Sequence, residues 1–123
     1  MFDIKKFREV NAQYGFSVGD DALRSIARHL SGSVRSVDTV CRYAGDKFAL
    51  VLPEIDPTRT LTVQKKISDA LTTGLDTDRG RVTFDATFAQ VHYPTQGASE
   101  MELLRKLISV LDAAKDTGAS ASA

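Results

Sequence analysis

The sequence predicts an α+β domain, a mixed central β-sheet flanked by helices. Three observations lead there. Apolar residues recur at helical spacing in four segments. β-Branched and aromatic residues gather in three other runs. Glycine, proline and aspartate punctuate the boundaries between them. The resulting order is helix, helix, hairpin, helix, strand, helix.

Phe7, Val10 and Tyr14 predict a short amphipathic helix that starts near Lys6 and stops at Gly15. Leu23, Ile26, Ala27 and Leu30 form the buried stripe of a second helix, from about Asp20 to Leu30. Asp20 or Asp21 suits its first turn and Gly32 its end. Residues 39–43 and 47–52 read as a β-hairpin bent at Ala44-Gly45-Asp46. Asp56-Pro57 starts a third helix, a capping residue followed by proline at the first helical position, and Gly74 ends it. Arg81 to Val91 reads as one strand. Ser99-x-x-Glu102 is a capping box that opens the last helix, packed through Leu103, Leu104, Leu107, Val110, Leu111 and Ala114.

With 123 residues, the chain has room for one core. A formal net charge of zero argues against DNA or RNA as partner, since polyanion binders carry a basic excess. No apolar run is long enough to span or anchor in a membrane, and no signal peptide is visible. The single Cys41 excludes an internal disulfide and fits a reducing, cytoplasmic setting, as a buried, inert thiol in a strand. His29 and His92 lack metal-ligand partners at useful spacing. Residues 119–123, small and polar, read as a tail or linker after a domain of residues 1–118.

Several segments match one family in order and spacing. Asp3-Ile4-Lys5-Lys6-Phe7 is similar to a D-x-D-x-F segment. The stretch from Asn11 to Asp20 is similar to N-D-x-Y-G-H-x-x-G-D. Ala44-Gly45-Asp46-Lys47-Phe48 resembles the GGDEF signature, and Arg35-x-x-Asp38 lies at the offset of an inhibitory-site motif. Phe84 to Val91 and Leu103 to Gly118 resemble the family's later strand and final helix. The chain thus resembles the GGDEF domains of diguanylate cyclases, which condense two GTP molecules into cyclic di-GMP. The resemblance implies a nucleotidyl-cyclase-like fold with a ferredoxin-like core. With only Met1 to Ile4 ahead of the first helix, the first strand reads as truncated and the chain as a fragment of a larger protein.

The resemblance also assigns roles. Two divalent ions held by carboxylates suit the joining of two GTP molecules. Asp3 and Asp46 match metal-binding positions, which leaves a weak, vestigial Mg2+ site. Lys47 and Lys5 stand where the family has acids, and Ala44 replaces the first glycine. Ala119 stands where an arginine is usual. At ~4 Å and an effective dielectric of ~20, each wrong-signed pair opposes a cation by roughly 4 kcal/mol. The signature turn (Ala44, Gly45, Asp46, Lys47, Phe48) therefore carries no expected catalytic residue. Asn11 and Asp20 match guanine-contacting positions and Lys115 a phosphate contact, a vestigial GTP site. Asp20 as a plain helix cap and Asp46 as a plain turn residue are the competing readings.

Arg35, Asp38 and Lys66 match the cyclic di-GMP site. An arginine can donate two hydrogen bonds to guanine O6 and N7. A carboxylate can accept from N1–H and the exocyclic amine. The competing reading is a surface salt bridge between Arg35 and Asp38. The expected function is a degenerate GGDEF signalling domain without cyclase activity, which binds cyclic di-GMP and relays a signal to other domains of the same polypeptide. Two alternatives stay open: a weakly active diguanylate cyclase, and an interaction or dimerisation module that binds no nucleotide.

Overall fold

The computed structural model describes residues 1–77, 79–117, 121 and 122. Its elements are β1 (Phe2–Ile4), α1 (Phe7–Tyr14), α2 (Phe16–Ser33), β2 (Thr39–Ala44), β3 (Lys47–Val51), α3 (Pro57–Thr73), β4 (Leu75–Thr77), β5 (Gly80–Val82), β6 (Ala86–Gln90), α4 (Glu100–Thr117) and β7 (Ala121–Ser122). The predicted α+β class holds. The backbone gathers into two compact units, Ile4–Ala86 and Met1–Asp3 with Thr87–Ala123.

In the larger unit, α1 ends where expected, with the Gly15 N–H donating to the Asn11 carbonyl. Gly15 has φ 91°, a conformation open to glycine and strained for other residues. That residue also begins α2, which starts at Phe16 and not near Asp20. The Gly19 N–H donates to the Gly15 carbonyl at 3.3 Å, so the helix is already running before the aspartates. Asp20 therefore sits in the second turn and caps nothing. Val18, Ala22, Leu23, Ile26 and Leu30 make the buried face of α2.

Strands β2 and β3 pair antiparallel, Thr39 opposite Val51 and Arg42 opposite Phe48. The register slips between Arg42 and Ala44, and Gly45-Asp46 forms the turn. The Asp46 carbonyl accepts the Ile4 N–H at 2.9 Å, which ties this turn to the end of β1. Cys41 in β2 is exposed, not the enclosed thiol expected from a strand position. The Asp56 carboxylate accepts the Arg59 N–H at 3.0 Å, and Pro57 opens α3 as predicted.

The one strand expected from Arg81 to Val91 is two. β5 pairs with β4, a strand that the sequence reading missed. Between β5 and β6 the backbone finds other partners. The Phe84 N–H donates to the Leu71 carbonyl at 2.9 Å, and the Lys5 N–H donates to the Asp85 carbonyl at 2.8 Å. The Asp85 carboxylate takes the Ala86 N–H at 2.8 Å. With its ladder bonds diverted, the segment cannot continue as a strand.

In the smaller unit, the Ala89 N–H donates to the Met1 carbonyl at 2.9 Å and the Phe2 ring lies 5.3 Å from that of Phe88. Leu111 and Ala114 of α4 are buried. The predicted capping box forms: the Glu102 N–H donates to Ser99 Oγ, while the Glu102 carboxylate accepts from the Ala98 N–H, one residue before the usual partner. Within the expected tail, Ala121–Ser122 pair parallel with Ala89 and Gln90. An open strand edge favours such an addition.

Candidate functional site

The Arg-x-x-Asp motif follows directly on α2. Val34 leaves the helix in extended conformation, and the Asp38 N–H donates to the Arg35 carbonyl at 3.0 Å, which closes a tight turn. The turn folds the two side chains onto each other. Arg35 Nη2 donates to Asp38 Oδ1 at 2.8 Å and Nε to Oδ2 at 3.2 Å. The Arg35 backbone N–H adds a third bond to Oδ2 at 2.7 Å. Nη2 also donates to the Pro53 carbonyl.

The Asp38 side chain is 1% exposed and that of Arg35 30%. The salt-bridge reading is thus met in part: the pair exists, but its carboxylate lies under the guanidinium instead of in water. The Arg35 hydrogen bonds hold Asp38 below the usual carboxylate range against the opposing effect of desolvation, and Arg59 adds a smaller pull. Arg35 is raised in turn, chiefly by its bond to Asp38. Asp38 already accepts three bonds, so it offers a guanine little without Arg35 moving. Arg35 Nη1 makes no hydrogen bond among the described residues, and its two N–H groups are the open donors of the motif.

Lys66 is exposed on α3. It lines a cleft of about 630 Å³ together with Ser33, Asp56, Arg59 and Thr62. Ser33 is two residues before Arg35, so Lys66 and the Arg35 turn border the same region of the larger unit.

The candidate metal ligands carry cations of the protein's own. Asp3 is nearly buried, and its Oδ2 accepts from Lys115 Nζ at 3.0 Å. Lys115, expected at a phosphate, is the cation of this pair. Asp46 Oδ1 lies 3.8 Å from Lys47 Nζ. Lys5 Nζ lies 3.4 Å from Asp85 Oδ2, so its charge is opposed by an acid that the sequence reading overlooked. Among the described residues, no group of three His, Cys, Asp or Glu side chains could hold a metal ion. Asp3 and Asp46, each with a lysine against its carboxylate, are a donor set that does not fit a divalent cation.

Asn11 on α1 is half-buried and Asp20 on α2 exposed. Gly19 leaves room for the Asn11 carboxamide, which a Cβ at that position would overlap, with the Phe7 ring 3.3 Å away. Gly19→Ala gains up to about 1 kcal/mol of helix propensity. It loses about 1–3 kcal/mol to overpacking. The expected result is a net loss of stability in urea unfolding, and an unchanged or raised midpoint would show that Asn11 is not held there.

Residues 1–121 match the family described as "Diguanylate cyclase, GGDEF domain". The chain belongs to the GGDEF family. This GGDEF domain is 29% identical over 116 residues to the bifunctional diguanylate cyclase/cyclic di-GMP phosphodiesterase MucR of Pseudomonas aeruginosa, which covers 94% of the chain and 17% of MucR. It is 39% identical over 67 residues to the diguanylate cyclase DosC of Escherichia coli, 54% of the chain and 15% of DosC. It therefore spans less than a fifth of either relative's length. The crystal structure of the GGDEF domain of YfiN (TpbB) from P. aeruginosa superposes with a TM-score of 0.90 at 25% identity, over 98% of this chain and 76% of that one. The GGDEF domain of DgcB from Caulobacter crescentus, solved in complex with cyclic di-GMP, shares the fold with a TM-score of 0.79 at 22% identity, over 98% of this chain and 72% of that one. No helix among the described residues of this GGDEF domain is long and apolar enough to cross a membrane.

Proposed function

We propose that this GGDEF domain is a cyclic di-GMP receptor that does not turn over GTP. The observation that carries the reading is the Arg35 guanidinium, anchored on two sides by Asp38 and the Pro53 carbonyl, with the Nη1 edge left to donate. A guanidinium held in this way loses little freedom when Nη1 donates to a guanine, and release of the Pro53 carbonyl by Nη2 completes the two-bond contact to O6 and N7. Asp38 then works chiefly as a positioning residue, and Lys66 supplies charge toward a phosphate. Loss of cyclase chemistry is supported by Lys47 against Asp46 and by Lys115 on Asp3. Asn11 and Asp20 remain for residual GTP binding with Mg2+ weak at best, and other domains of the same polypeptide are the partners that receive the signal.

Calorimetric titration with cyclic di-GMP and with GTP, each with and without magnesium, tests the reading beside a search for cyclic product from GTP. Saturable binding of cyclic di-GMP and no product is the expected result. Metal-dependent product would favour the weak-cyclase alternative. Binding of neither nucleotide would favour the interaction module.

A further inference from the structure

A second cleft of the larger unit, about 590 Å³, shares no residue with the Arg35 turn or the Lys66 cleft. One wall is α1, through Lys6, Glu9, Val10, Gln13 and Tyr14. Their spacing of three and four residues is that of a single helix face. The other wall is the chain from Arg81 to Asp85, the end of β5 and the link toward β6. The Lys5 N–H donates to the Asp85 carbonyl, so this wall meets the start of α1 at Asp85.

The backbone of the second wall has an open edge. Among the described residues, β5 has only β4 for a neighbour in its sheet. The register sets Thr77 opposite Gly80, Asp76 opposite Arg81 and Leu75 opposite Val82. The pair that closes a tight hairpin exchanges both hydrogen bonds, and the next pair exchanges none. The N–H and C=O of Arg81 therefore point away from β4. The alternation continues past the strand: the Phe84 N–H goes to the Leu71 carbonyl, while the Asp85 carbonyl accepts from Lys5 on the opposite side. Between them, the Thr83 N–H and C=O make no hydrogen bond among the described residues. Residues 81 and 83 thus present unpaired donors and acceptors on the side of α1, which is the template for one more strand.

The lining says what kind of strand. Val10 and Val82 are half-buried and Phe84 is buried, an apolar seat inside a polar rim. The cations Lys5, Lys6 and Arg81 outnumber the acids Glu9 and Asp85. Lys5 pairs with Asp85, and Arg81 holds Asp76 at 3.4 Å from an exposed position. Lys6 makes no ion pair among the described residues. We infer that this groove takes an extended segment of a partner protein, which adds to the open edge opposite residues 81 and 83, seats an apolar side chain on Val10, Val82 and Phe84, and carries acids on either side of it that meet Lys6 and Arg81. Main-chain bonds then supply attachment, and the alternate side chains supply selectivity. Cyclic di-GMP binding plays no part in this contact.

The probe is the acetylated and amidated pentapeptide Thr-Glu-Val-Glu-Thr, titrated against the nitrogen-15-labelled full chain and followed by amide shifts and hydrogen exchange. In the free chain the Arg81 and Thr83 amides should exchange faster than that of Val82. With peptide, both should shift saturably and exchange more slowly. The same peptide N-methylated at its two glutamates keeps the side chains and loses the donors, so it should bind at least about tenfold more weakly. Lys6→Glu should weaken binding about fivefold. An acid suits the start of a helix, so the thermal midpoint and the affinity for cyclic di-GMP should stay as they are in that variant. Glu9→Gln removes the opposing acid and should tighten binding. The absence of a saturable shift at Arg81 and Thr83 would overturn the inference, as would equal binding of the N-methylated peptide or of Lys6→Glu. If sedimentation instead shows a dimer that protects the two amides without peptide, the occupant is a second copy and the partner segment is wrong.

Discussion

Phe2→Ala is expected to destabilise the chain by about 3–5 kcal/mol, the range for deleting a large aromatic side chain from a close-packed core. Phe2 is fully enclosed, and its ring meets that of Phe88 at 5.3 Å with a 35° tilt. It lies in a strand of three residues, all of them buried. So short a strand has few ladder bonds to hold it, and side-chain burial must supply most of its attachment. Domains of this size are stable by only ~5–15 kcal/mol, so the variant should approach the point of unfolding at 25 °C. Phe2→Leu keeps much of the apolar volume and should cost less. Urea unfolding followed by circular dichroism gives both numbers. A loss below about 1 kcal/mol for the alanine variant would mean that the cavity collapses or that β1 is not packed as described.

The parts of this fold that sequence reveals are those set by neighbours in the chain. Asp56-Pro57 and Gly74 bound α3 because a cap, a fixed φ and a flexible exit act within a turn of their own position. Ser99 and Glu102 reveal the start of α4 for the same reason. The start of α2 was less legible because two breaks compete there. Gly15 and the aspartates at 20 and 21 are all plausible boundaries, and the glycine wins through its φ of 91°. The division of residues 81–91 could not be seen locally at all. It depends on the Leu71 carbonyl accepting from Phe84 and the Lys5 N–H donating to Asp85, within a segment that otherwise has strand composition.

The candidate site divides in the same way. Arg35 and Asp38 are three residues apart, so one turn brings them together and the spacing alone announces them. Lys115 reaches Asp3 across 112 positions and Lys5 reaches Asp85 across 80. Neither pair leaves a local trace. Lys5 is offset by Asp85, and the cations that weigh on the candidate metal ligands are Lys47 and Lys115.

Arg35→Ala is expected to weaken cyclic di-GMP binding at least roughly tenfold, since a two-bond arginine–guanine contact discriminates by ~1–3 kcal/mol. Arg35→Lys should not restore it, because an ammonium cannot hold Asp38 with one nitrogen pair and present another edge to the base. Asp38→Asn keeps the shape of the turn and removes the charge that steers the guanidinium, so it should bind more weakly than the unaltered chain and more tightly than Arg35→Ala. The pH response follows from the direction of the Asp38 shift. Its folded-state pKa lies below the ordinary carboxylate value, so the stability contributed by the ion pair is fully present above the unfolded pKa of ~3.9. It is lost only as pH falls through the lower folded value. Arg35 is raised and stays charged throughout. Affinity measured by calorimetry should therefore be flat between pH 8 and 5, a window chosen to lie above ~3.9. A decline inside that window, in a chain whose binding still depends on Arg35, would place a histidine or another acid in the contact and remove Asp38 as the group that orients it.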